Sequence, residues 1–253
     1  MPLLPSLPRN VLTAGLLGVM LSMPLLPGAA VQAQSGDPDK QLRALDSEDY
    51  RDRQDQTHRL LADTSLAVED LAGLMDAAAS PEQRHRLLTV ARHHVLRERR
   101  EQMFDRPDRG SLGISHRTIA PDDLPGDTGG HGAAVEIVLT LPGFPAYAAL
   151  EVGDRIVAVD DQPLPPDFTA DHFRELIVNF RSGETIKLTL DRHGERIDRT
   201  IELVSAQALT AMYDPTRLQL RPQFEDDWLN VRRRLLADAP DRAPLRLPAD
   251  TGE

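Results

Sequence analysis

The segment from Phe144 to Asp160 constrains the fold more than any other part of the chain. It reads Phe-Pro-Ala-Tyr-Ala-Ala-Leu-Glu-Val-Gly-Asp-Arg-Ile-Val-Ala-Val-Asp. A Pro-Ala step opens a short apolar helix, and Gly153-Asp154 follows it. Arg155 to Asp160 then alternates apolar and polar side chains, as a half-buried strand does. The segment therefore predicts a short helix followed by a strand of a sheet.

The flanking sequence predicts further strands and a second helix. His193-Gly194, between two apolar runs, is typical of a tight hairpin turn. Phe173, Ile177 and Phe180 recur at helical spacing, and Ser182-Gly183 ends that helix. The predicted strands are Val135 to Thr140, Ile186 to Leu190 and Arg196 to Leu203, and the predicted helix is Thr169 to Phe180. These elements assemble into a compact sheet with two helices.

This order of elements, from about Gly110 to Ser205, resembles the bacterial PDZ domain of the Deg/HtrA type. The resemblance implies an α+β fold, in which a PDZ-like, partly open β-barrel with two helices occupies residues 110–205. It also implies a groove between one strand and one helix, where a partner's C-terminal segment adds as an extra strand. One departure from the family pattern is Ala149, where bacterial relatives usually have Gly.

The resemblance also indicates which residues would bind a peptide. Ser111-Leu112-Gly113-Ile114 resembles the family's carboxylate-binding loop, where glycine lets the backbone turn and approach the anion. Ile114 to Thr118, which includes Ser115 and His116, would be the strand that pairs with the peptide. The opposite wall would be the 169–180 helix: His172 and Leu176 facing the groove, and Phe173, Ile177 and Phe180 divided between groove and core. For any one of these helix residues, the alternative is ordinary core packing.

Residues 40–104 predict a small helical domain. Ser80-Pro81-Glu82-Gln83 is a capping box with proline at the first helical position. The stretch from Leu42 to Leu96 resembles a short HEAT-like repeat, with three helical segments. Because such repeats usually need three or more copies, this region should pack on itself, on the PDZ-like domain or on a partner.

The sequence patterns at the two ends of the chain differ from those of the two predicted domains. Residues 1–33 resemble a secretory signal peptide, with Arg9, an apolar core and a cleavage site near Ala33; the alternative is an uncleaved membrane anchor.

Residues 34–39 are predicted to form a linker, and residues 121–132 a long loop. In the tail, 206–253, Phe224 to Leu236 predicts one amphipathic helix that docks through Trp228, and the residues from Asp238 onward predict disorder. The expected location is the periplasm or outside the cell.

Composition and motif spacing argue against several functions. The chain has no cysteine, and a net charge of −11 disfavours nucleic acid as a partner. No Gly-x-Ser-x-Gly motif occurs, and about 75 residues before the PDZ-like region are too few for a protease double barrel. Ser115 and His116 are adjacent in a predicted strand, so they should point to opposite faces. His93 and His94 lack metal-ligand spacing and are expected to be solvated.

We therefore expect no catalytic residue, no metal and no cofactor. The first interpretation is an exported, non-catalytic module that captures extended segments or C-termini of envelope proteins. The second is an accessory or regulatory subunit of an envelope protease. The third is a structural module with no free groove. Contact with a membrane is expected only through an uncleaved signal.

Overall fold

The computed structural model describes residues 37–104, 108–121, 132–214 and 216–237, all within one compact unit. The predicted signal peptide, its cleavage site near Ala33, residues 34–36 of the predicted linker, most of the 121–132 loop and the tail from Asp238 lie outside these residues. The second half of the predicted 34–39 linker instead leads into a helix that begins at Pro38. Within the described ranges, no helix combines the length and hydropathy that a bilayer span requires.

Four helices precede the sheet: α1 (Pro38–Leu45), α2 (Tyr50–Ala62), α3 (Val68–Ala77) and α4 (Pro81–Met103). The sequence pattern predicts three helical segments and misses α1. The acidic stretch after Leu45 separates α1 from α2, because Asp49 accepts a hydrogen bond from the Arg51 N–H at 2.7 Å and caps α2. The first two helices therefore form a hairpin.

The predicted capping box at the start of α4 is confirmed. Ser80 Oγ accepts from the Gln83 N–H at 3.1 Å, and Gln83 Oε1 accepts from the Ser80 N–H at 2.9 Å. The buried Gln83 amide also donates to Leu42 O at 2.9 Å. One side chain thus caps α4 and ties it to α1.

The sheet is antiparallel and open, so the structure confirms the α+β class. The strands are β1 (Gly110–Ser111), β2 (Ile114–Ile119), β3 (Ala134–Thr140), β4 (Arg155–Val159), β5 (Gln162–Pro163), β6 (Thr185–Arg192), β7 (Glu195–Glu202) and β8 (Val204–Ser205). The sheet has the order β2-β3-β4-β6-β7, β5 pairs with β4, and β1 pairs with β8 in a separate ladder. Among the described strands, β2 and β7 do not pair to close the sheet.

Two helices belong to the sheet, α5 (Ala146–Ala149) and α6 (Ala170–Asn179). Both match the sequence pattern, and Thr169 caps α6 through its hydroxyl. The predicted hairpin turn joins β6 to β7. His193 and Gly194 both have positive φ, 53° and 87°, as the twist of a two-residue hairpin requires.

The C-terminal segment adds α7 (Ala206–Met212) and α8 (Pro222–Leu235) and returns to the first helices. Trp228, Val231 and Leu235 of α8 are buried in the core that α1 to α4 form. Two ion pairs, Arg92–Glu225 at 3.0 Å and Arg99–Asp227 at 2.8 Å, join α4 to α8. The four N-terminal helices therefore pack against α8 and against α5.

The expectation that His93 and His94 are solvated is wrong, since both are buried. His93 Nδ1 accepts from the Gly143 N–H at 3.1 Å, and its ring stacks on Tyr147 with centroids 5.3 Å apart. His94 Nε2 lies 2.8 Å from Leu60 O. The loop that leads into α5 packs on the middle of α4 and removes these rings from water.

Candidate functional site

A cleft of about 480 Å³ lies between β2 and α6, in the region that the resemblance indicates. Its walls are mostly apolar. They come from four parts of the chain: β1 with its following loop, the first half of β2, α6, and the C-terminal segment. The lining residues are Gly110, Ser111, Leu112, Gly113, Ile114, Ser115, His116, Phe173, Arg174, Ile177, Val178, Ala206, Leu209, Thr210, Tyr213 and Leu218.

The strand that borders the cleft is an edge strand. Of the described strands, only β3 pairs with β2, and the other edge of β2 borders the cleft that it shares with α6. An edge of this kind presents main-chain N–H and C=O groups that a further strand can pair with.

The loop before β2 is a tight, buried turn. Gly113 has φ of 71°, and a Cβ at this position would overlap the buried side chain of Phe144. Its N–H donates to Ser111 Oγ at 3.2 Å, and its carbonyl accepts from the Leu141 N–H at 2.9 Å. Glycine is thus needed for packing against Phe144, a different reason from the anion approach that the sequence suggests.

Two of the five predicted helix residues line the cleft. Phe173 and Ile177 do so one turn apart, accompanied by Arg174 and Val178. Phe173 is also a core residue, only 1% exposed. The burial of Phe173 and Ile177 fixes the rotation of α6, and this rotation turns the following residues, Arg174 and Val178, to the cleft.

The other three predicted helix residues lie away from the cleft lining. His172 is exposed, and its Nδ1 accepts from the Thr169 N–H at 3.2 Å as part of the helix cap. Leu176 packs against the sheet core, while Phe180 ends the helix and accepts from the Gly110 N–H at 2.9 Å. The spacing from Gly183 predicts a different face of this helix.

His116 crosses from β2 to α6. Its Nε2 lies 3.3 Å from Ala170 O, and its ring meets the edge of the Phe173 ring at 5.0 Å between centroids. Burial lowers the pKa of His116 below its ordinary value, so the neutral ring is the favoured form. This side chain closes the end of the cleft opposite the Gly113 loop.

Ser115 and His116 both line the cleft, contrary to the strict alternation expected of a strand. The register of β2 against β3 shifts between these two residues, which marks a β-bulge. No hydrogen bond joins the two side chains in the described structure. Nor do three His, Asp or Glu side chains of the described residues group as metal ligands.

The C-terminal segment supplies lining residues that the sequence analysis did not anticipate. Leu209, Tyr213 and Leu218 line the end of the cleft next to the Gly113 loop. The apolar residues at helical spacing between Ala208 and Tyr213 indicate a packed helix here, but the contact with the groove is tertiary. Among the described residues of the lining, Arg174 is the one with a charged side chain apart from the titratable His116, and none of them carries a carboxylate.

No protein-family model and no curated protein matches the chain. Solved structures of an HtrA-type protease do match. The protease AlgW with a decapeptide is 22% identical, with 47% of this chain and 34% of that chain covered and a TM-score of 0.31. AlgW with a tripeptide is also 22% identical, with coverage of 38% and 31% and a TM-score of 0.32. This chain therefore spans about a third of those proteases, and the similarity is too low to extend their activity to it.

Proposed function

We propose that this chain is a non-catalytic, PDZ-like peptide-binding module, in which an extended segment of a partner adds to the free edge of β2. The observation that carries this proposal is the edge of β2 that no described strand pairs with, which faces α6 across an apolar cleft. Strand addition supplies affinity through main-chain hydrogen bonds, and the cleft supplies selectivity through side chains.

The charge of the lining favours a partner's C-terminus over its N-terminus. The described lining holds no carboxylate that could pair with an ammonium group, and the positive charge of Arg174 favours an anionic terminus in the cleft without direct contact. Arg174 now pairs with Asp171 at 2.9 Å, but both side chains are exposed, so this pair is weak and the guanidinium is available. The ligand would run antiparallel to β2, with its last residue beside the Gly113 loop.

The non-catalytic part of the proposal rests on the surroundings of Ser115. His116, the nearest candidate base in sequence, has its Nε2 directed to Ala170 O. A nucleophile needs a base within hydrogen-bond reach, and the described residues offer Ser115 none. We therefore assign Ser115 and His116 to the cleft wall. Export to the periplasm or the exterior remains a prediction of the N-terminal sequence.

A cleft-filling substitution tests the proposal. Val178→Trp should place an indole in the cleft and abolish binding of short peptides that have an apolar, free C-terminus, for which we expect dissociation constants on the order of micromolar. Glu175→Trp is the matched control, because Glu175 is exposed on the same helix and outside the lining. Fluorescence anisotropy with labelled peptides measures both variants.

Amidated peptides give the second arm of this experiment. They should bind at least about threefold more weakly than the free acids, because the negative charge that the positive lining residue Arg174 favours is lost. If Val178→Trp and Glu175→Trp bound peptides as well as the parent protein did, the cleft would not be the peptide site. Equal binding of acids and amides would limit the proposal to internal extended segments.

A further inference from the structure

We propose that α7, Tyr213 and Leu218 form a third wall of the cleft, and that Leu209 and Leu218 select ligands whose last residue is large and apolar. This inference rests on the proposed function, since it assigns a specificity to the same cleft. It goes beyond the strand-and-helix groove, because these residues follow the sheet in sequence and belong to the C-terminal segment.

The position of α7 places it at the end of the cleft. β8 ends at Ser205, where it pairs with Gly110 of β1, and α7 begins at the next residue. Ala208 and Met212 of α7 are fully buried, and the Tyr213 hydroxyl donates to Pro142 O at 2.8 Å. The helix is therefore anchored in the small core that also contains Phe144 and Phe224. Leu209, in contrast, is only partly buried and lines the cleft.

Leu218, which lines the cleft, has an unusual backbone conformation. Its φ is 53°, a left-handed conformation that is costly for a bulky side chain. The turn holds it there through the Leu218 N–H, which donates to Asp214 O at 2.7 Å. The Asp214 carboxylate accepts from the Thr216 and Arg217 N–H groups at 2.8 and 3.1 Å. Strain that the surroundings maintain in this way is typical of binding sites.

The chemistry of this end of the cleft defines the ligand. Leu112 of the loop before β2 and Ile177 of α6 border it on one side, and Leu209 and Leu218 border it on the C-terminal side. A side chain inserted between these four residues would exchange water for mainly apolar surroundings. Burial of each additional methylene strengthens binding roughly fourfold. A peptide that ends in Leu should therefore bind at least about tenfold more tightly than the same peptide ending in Ala.

The test compares the Leu-ended and Ala-ended peptides on the full chain and on three variants. Leu218→Ala and Leu209→Ala should each lower the Leu-to-Ala affinity ratio by roughly threefold or more, while affinity for the Ala-ended peptide changes little. Leu220→Ala is the matched control. Leu220 belongs to the same turn and, like Leu218, is partly buried against the same small core, but it does not line the cleft. Its variant should keep the parent ratio.

The outcomes separate this inference from the proposed function. If both peptides bind, Val178→Trp abolishes binding, and the ratio is unchanged in Leu218→Ala and Leu209→Ala, the third wall does not select the ligand and the peptide site stands. If Leu220→Ala lowers the ratio as much as Leu218→Ala, the effect is one of general packing, and the inference is overturned. If neither peptide binds the parent protein, the proposed function fails and the inference fails with it.

Discussion

At the scale of single residues, two motif positions have structural reasons that the sequence does not show. Asp154, only 1% exposed, accepts from the Glu151 N–H at 2.8 Å and from Arg192 at 2.7 and 2.8 Å. Its carboxylate thus holds the turn between α5 and β4 to the end of β6. Gly113 keeps the loop at the cleft against Phe144. Asp154 therefore stabilises a turn outside the cleft, whereas Gly113 shapes the loop that borders it.

Gly113→Ala tests this interpretation of the loop. The methyl group would meet Phe144 in a left-handed backbone, so overpacking and strain should add, and we expect a loss of about 3 kcal/mol in the free energy of unfolding. Gly183→Ala is the control, because Gly183 has φ of 88° with open space around its Cβ position, and should cost about 1 kcal/mol. Urea denaturation measures both. Equal losses would mean that Phe144 moves aside at little cost.

At the scale of elements, His116 and the Gly113 loop limit how much of β2 a ligand reaches. Only Ile114, Ser115 and His116 of this strand line the cleft, which is about 10 Å of strand. Peptide affinity should therefore rise up to about three residues and then level off. His116→Ala removes the contact between the imidazole and Ala170 O that closes this end of the cleft. In this variant, affinity should therefore continue to rise for peptides of five or six residues. Anisotropy titrations with a length series measure this, and a plateau at the same length in both proteins would contradict it.

The elements also show how far the sequence predicts this site. The bounds of α6 and the 193–194 turn follow from local signals, because Thr169 caps the helix and two consecutive residues adopt positive φ. Local signals do not predict which face of α6 points to the cleft, because the packing of Phe173 and Ile177 on the sheet determines it. The bulge after Ser115 and the wall from α7 depend on contacts between distant parts of the chain, which residue spacing does not encode.

At the scale of the whole molecule, α4 is the element that joins the helical layer to the sheet. Its N-terminal half packs among α1 to α3, while Leu96 near its C-terminal end belongs to the small core of Phe144, Met212 and Phe224. His93 and His94 lie between these two regions. Their burial makes the junction sensitive to protonation, because a charged imidazole at either position would lose solvation.

The pH dependence of stability tests this junction. Burial lowers the pKa of His93 well below its ordinary value of 6.5, with Arg97 and Arg100 adding to the effect, and lowers that of His94 to about 4. The unfolded chain therefore binds more protons than the folded chain between about pH 6.5 and pH 4. The stabilisation is complete above pH 6.5 and is lost as the pH falls, by about 1.4 kcal/mol per pH unit for each histidine.

The variant His93→Asn measures the contribution of His93 to this pH dependence. Its amide oxygen can still accept from the Gly143 N–H but does not titrate, so the slope of unfolding free energy against pH should fall by about 1.4 kcal/mol per unit between pH 6 and pH 4.5. His58 and His116, whose pKa values burial also lowers, are common to both proteins and cancel in the difference. Urea denaturation at four pH values measures the slopes. If the variant and the parent protein had the same slope, His93 would not be held neutral at the junction, and the helical layer would meet the sheet without a titrating contact there.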